Sequence, residues 1–134
     1  MKDKLVLLAV LIGLSLFTQA EAQQIGAGPV QLVSNQAGIG AGPFVQILKS
    51  QTGNGAPKVA FQAIETGSGS VTATVTIEVS NDGINVVSTV ACTISLTGTA
   101  TVSDGCTTDF GWAFVRANVT AITGTTAKVS VWAN

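Results

Sequence analysis

Residues 71–79 read VTATVTIEV. Val71, Ala73, Val75, Ile77 and Val79 alternate with Thr72, Thr74, Thr76 and Glu78. A period of two gives one apolar and one polar face only in a strand; a helix would scatter the same side chains around its surface. The pattern recurs. In KVAFQAIET, Val59, Phe61 and Ala63 share a face. In VVSTVACTISL, Val86, Val90, Cys92, Ile94 and Leu96 form an apolar row that includes Ser88. In WAFVRANVTAI, Ala113, Val115, Ala117, Val119 and Ala121 oppose Trp112, Phe114, Arg116, Asn118 and Thr120. In TAKVSVWA, Ala127, Val129, Val131 and Ala133 line up together. Beyond residue 22, no run of similar length has the 3.6-residue period of a helix.

Turn-forming residues separate these runs: TGSGS at 66–70, SNDG at 80–83, TGT at 97–99, SDG at 103–105 and ITGT at 122–125. Glycine supplies positive φ, and Asn or Asp bonds its own backbone. Asp82-Gly83 and Asp104-Gly105 are tight-turn dipeptides, and Ile122–Val131 reads as a last hairpin. The expected fold is all-β: an antiparallel β-sandwich or jelly roll of about 7–8 short strands.

The first 22 residues belong to a different class. Lys2 and Lys4 precede an apolar run from Leu5 to Phe17, and Ala20-Glu21-Ala22 offers a small-x-small cleavage site. This is the layout of a secretory signal, helical while it lasts. As a retained helix the run would rise about 20 Å against a hydrocarbon core about 30 Å thick. Cleavage after Ala22 is therefore the leading expectation and an uncleaved membrane anchor the alternative. The chain divides into a signal (1–22), a Gly-rich arm (23–57) and a β-domain (58–134).

Export agrees with two cysteines, Cys92 and Cys106, whose pairing would close a loop of about 15 residues. Two separate buried thiols are the other reading. Charged residues make up only 10% of the chain and the net charge is −1. A nucleic-acid surface needs clustered Lys and Arg, and none is present. The outside must be largely Thr, Ser, Asn, Gln and Gly, which suits a surface that meets other subunits without repulsion.

Histidine and tyrosine are absent. That excludes Ser-His-Asp and Cys-His catalysis and leaves a poor ligand set for zinc. Glu65 and Glu78, read as lying on different strands, form the one carboxylate pair to weigh for glycoside hydrolysis. Glu78 reads as an outward residue among threonines and Glu65 as a strand end, so no enzyme and no cofactor is expected. Asp82, Asp104 and Asp109 are turn-formers first, with a shared calcium site as the sharper reading. Phe110, Trp112 and Trp132 are candidates for an aromatic platform that binds a glycan. Arg116 is expected to pair with Glu78 or Asp109.

The arm carries a repeat. IGAGP occurs at Ile25–Pro29 and again at Ile39–Pro43, followed by VQLVSNQAG and FVQILKSQTG. Val30 and Leu32 in one copy, and Val45 and Ile47 in the other, mark two short β-capable runs flanked by breakers. One reading is a flexible tail with an edge strand. The sharper one is a pair of strands that add to a sheet edge, the chain's own or a neighbour's, and lace subunits together.

The run FQAIETGSGSVTATVTIEVSNDGINVV, followed by TISLTGTATVSDGCTTDFGWAFVRANVTAITGTTAKVSVW, resembles small β-sandwich structural proteins of bacteriophages and prophages over residues 58–132. The resemblance implies a virion component such as a capsid decoration, spike base or tail accessory. The Ser-x-Asp-Gly turn and late Val-Arg strand are also similar to discoidin-like carbohydrate-binding jelly rolls. The expected function is therefore a structural or accessory subunit of a virion or extracellular surface assembly, with self or other coat subunits as partners. The alternatives are a secreted carbohydrate-binding or adhesin module, and a surface filament polymerised through the arm. The expected location is exported, periplasmic or extracellular, or on a virion surface, with membrane contact only if the N-terminal segment is retained.

Overall fold

The computed structural model describes residues 24–25, 28–47, 58–109 and 111–134. The signal-like segment 1–22 and its expected helix lie outside the described residues. Every described element is a strand: β1 (Gln24–Ile25), β2 (Val30–Gln36), β3 (Gly40–Ala41), β4 (Val45–Ile47), β5 (Lys58–Ser80), β6 (Cys92–Asp109) and β7 (Phe114–Ala133). They form one seven-stranded sheet in the order β1-β4-β7-β5-β6, with β2 and β3 also paired to β7. Pairing is antiparallel except between β1 and β4.

In place of the short strands that the turn signals predict, β5, β6 and β7 run for 23, 18 and 20 residues. The turn signals at 66–70, 97–99 and 122–125 do not end strands. They bend three neighbours at one place. Pairing between β5 and β6 slips between Thr66 and Ser70, and β5–β7 pairing slips there too. Gly69 of β5 sits at φ 72°, Ala100 of β6 at φ 63°, and Gly124 and Thr126 of β7 at φ 129° and 58°. Left-handed backbone in three neighbouring strands makes a corner rather than a hairpin. The two halves of β7 pair with neighbours and not with each other, which replaces the expected last hairpin. Asp104-Gly105 is likewise mid-strand, opposite Ala63 and Gln62.

The corner folds the sheet over its own apolar face. Cys92 and Cys106 are 14 residues apart on β6, a span of about 46 Å along a straight strand. Their Cα atoms stand 6.7 Å apart, joined by a disulfide. Val59, Phe61 and Ala63 before the corner and Val75, Ile77 and Val79 after it belong to one buried cluster. Cut at the corner, the strands read as two sets. One is 30–36, 126–133, 58–66, 101–109; the other is 40–47, 114–123, 70–80, 92–99.

The alternation read from the sequence places most of this core. Val59, Phe61, Ala63, Val71, Ala73, Val75, Ile77 and Val79 are buried, as are Ala127, Val129, Val131 and Ala133. Three details differ. Val86 and Val90 are exposed because β6 begins only at Cys92. A register shift in the β5–β7 ladder around Thr120 turns Ala121 outward and leaves Ile122 packed against the core. Glu65 continues the inward row of β5 and is fully buried.

Candidate functional site

Two surfaces stand out. The first lies on the outer face of the half built from 30–36, 126–133, 58–66 and 101–109. Trp132 faces outward because its neighbours Val131 and Ala133 face the core. Across the strands it is level with Gln31 of β2 and Gln62 of β5, and Gln62 is level with Gly105 of β6. A β-carbon at Gly105 would stand 2.5 Å from the Phe61 carbonyl oxygen, so this strand presents bare backbone beside Gln62. Trp132 borders an open groove of about 480 Å³ lined also by Pro29, Ala60, Gln62, Ile64 and Asn134. Their side chains are apolar or amide, with no charge.

The second surface is the loop between β5 and β6. It carries exposed Ile84, Val86 and Val90, at 77%, 42% and 42% exposure. The loop is not slack. Asp82 Oδ1 accepts the backbone N–H groups of Ile84 at 2.9 Å and Asn85 at 2.8 Å, and the Ser80 hydroxyl at 2.9 Å. Its Oδ2 accepts the Asn85 side-chain amide at 2.7 Å. These donors hold the Asp82 carboxyl well below the usual carboxylate range, led by the two backbone N–H groups. Val87 and Ala91 donate backbone hydrogen bonds to Val79 and Ile77, pinning the loop to β5.

The candidate residues are distributed unevenly between these places. Trp132 borders the groove. Trp112 is half-buried against the core and does not line the groove, so the two tryptophans do not share one platform there; Phe110 lies outside the described residues. Leu32, Val45 and Ile47 are buried and Val30 packs against the same cluster. Both β-capable runs of the arm are thus docked on their own chain. Its first copy pairs with β7 after the corner, Val30 opposite Ala133. Its second pairs with β7 before the corner, Val45 opposite Val115. Two similar strands serve the two halves of one bent edge. Cys92 and Cys106 are bonded.

The acidic residues do not converge. Glu65 and Glu78 both belong to β5, but Glu65 points into the core and Glu78 out of it, which removes the facing pair. Glu78 Oε2 accepts Arg116 Nε at 2.7 Å, and Oε1 accepts the Asn118 amide at 2.7 Å. The Arg116 guanidinium lies over the Phe44 ring, 4.7 Å from its centre. Asp109 is near Lys58 instead, at 3.8 Å. Asp82, Asp104 and Asp109 do not assemble a shared calcium site; among the described residues no three candidate ligands cluster.

Sequence reasoning did not find the Gln31–Trp132–Gln62 row. Alternation marks each of them as outward, but only strand register places them side by side. It also missed Glu65 as a buried acid. Both of its carboxylate oxygens lack a hydrogen-bond partner, and burial pushes its pKa up. The chain matches no protein-family model, no curated protein and no solved structure.

Proposed function

We propose that the chain is a non-enzymatic structural or accessory subunit of a virion or extracellular surface assembly. The observation that carries this reading is the loop bearing Ile84, Val86 and Val90. Single exposed apolar residues are ordinary, but three on one loop held by its own hydrogen bonds offer apolar area that a partner can cover. A neighbouring subunit would remove it from water, and the low charge of the chain would spare that contact repulsion.

The fold is consistent with the proposal. Numbered along the chain, the eight segments pair first with eighth, second with seventh, third with sixth and fourth with fifth. We read this as the wrapped ribbon of a jelly roll, an architecture used by capsid and lectin domains alike. A filament polymerised by exchange of the arm has less support, since both strand-forming runs are already paired within the chain. The disulfide favours an exported protein.

The test begins with native material. Density-gradient fractions of the source culture are assayed by mass spectrometry for this chain. Stoichiometric migration with particles supports the proposal, and the first residue of the N-terminal peptide reports whether the signal is removed. A second arm uses the double variant Ile84→Asp, Val86→Asp, which is expected to fold yet leave the particle fraction. Slow-sedimenting monomer alone, in the native source, overturns the assembly reading.

A further inference from the structure

We propose that the groove beside Trp132 is a binding site for a neutral saccharide. This inference uses a different surface from the loop at 81–91 and does not depend on assembly.

Trp132 is half-buried on a sheet face, held between two strands by its own backbone pairing. An indole ring presents a flat apolar face, and its N–H can donate only. Gln62 is exposed directly beside it, and a primary amide both donates and accepts. Asn134 adds a second amide at the groove's rim. Apolar stacking surface flanked by amides matches a pyranose ring, with C–H groups on one face and hydroxyls around its edge. A peptide strand is a poorer fit: β7 is paired on both sides here, so no open backbone ladder faces the groove. Phosphate, sulfate and sialic acid would want a cation, and among the described residues no Lys or Arg lines the groove. Its volume of about 480 Å³ lies in the range of small-molecule sites. Gly105 keeps the β6 side of the row low, so an extended chain of sugars can cross the strands there.

The test uses the full mature chain with Trp112→Phe, which leaves Trp132 as the sole tryptophan. Chitohexaose, cellohexaose, maltohexaose and xylohexaose are each titrated to about 10 mM, the range of weak single-site recognition, while indole emission is read. A saturable change with at least one sugar is expected. Calorimetry should show that Gln62→Ala weakens that sugar about fivefold and that Trp132→Ala abolishes binding. Gln62 is exposed, so its variant keeps the fold and separates a binding role from a structural one. Affinity is expected to be insensitive to salt. The loop variant Ile84→Asp, Val86→Asp should bind the same sugar normally, which separates this site from the assembly proposal. The inference is overturned if none of the four sugars gives a saturable response. It is also overturned if Gln62→Ala and Trp132→Ala leave affinity unchanged. Conversion of a dimer to a monomer by Trp132→Ala, without sugar binding, would instead assign the groove to a second copy of the chain.

Discussion

Cys92 opens β6 and Cys106 lies near its other end, yet one disulfide joins them. Opposite them on β5 stand Ile77 and Phe61, so the bridge also ties the two ends of the central strand. The bond thereby closes the fold on the side away from the corner. Replacing both cysteines with serine is expected to lower unfolding free energy by about 3 kcal/mol. Urea denaturation followed by circular dichroism measures the shift. A change under about 1 kcal/mol would mean that the apolar core alone holds the two halves together.

Glu65 gives a pH dependence of defined sign. Its pKa is raised from 4.5 by burial, so the folded chain holds this proton more tightly than the unfolded one. Stability therefore falls as pH rises above about 4.5, until the folded-state pKa is passed. Glu65→Gln carries no such proton. The variant should be the more stable by roughly 1 kcal/mol near neutral pH, and the gap should close toward about pH 4. Thermal melts of both chains across that range check it. A constant gap would show that Glu65 is not the titrating group.

The arm is expected to behave as core. Leu32 and Ile47 are buried in the same cluster as Val131 and Val115. Leu32→Ala should cost about 3 kcal/mol. Removing residues 23–57 strips both halves of β7 of a partner strand and uncovers that cluster. The truncated chain should lose its cooperative melt and bind a hydrophobic dye. A cooperative melt close to that of the intact chain would return the arm to a dispensable role.

Gly124 marks the corner in β7. It has φ +129°, and a β-carbon there would lie 2.9 Å from Val71 Cγ1 and 3.1 Å from the Ser70 carbonyl oxygen. Gly124→Ala should therefore destabilise the fold by about 2 kcal/mol, through strain and contact together. A parallel change at Gly38, where a β-carbon meets nothing within 4 Å and φ is ordinary, should be close to neutral. Paired denaturation curves distinguish the two.

Local residue pattern is enough to make this chain a set of strands and to sort most side chains into inward and outward. Alternation is a local property: Val71 through Val79 carry it without reference to any other segment. It also marked Trp132 and Gln62 as outward and supplied the cysteines. The rest follows from register between distant segments, which no local pattern encodes. TGSGS, TGT and ITGT look like three separate turns. Only when the strands lie side by side do they coincide as one corner that folds a single sheet. The repeat in the arm was plain as a repeat, but its use was set by β7, whose bend divides one edge into two docking places. Glu65 reads as a polar strand end in isolation; pairing with Val102 and Val129 carries it inward with its row. The Gln31–Trp132–Gln62 row exists only across three strands, where backbone hydrogen bonds set the alignment.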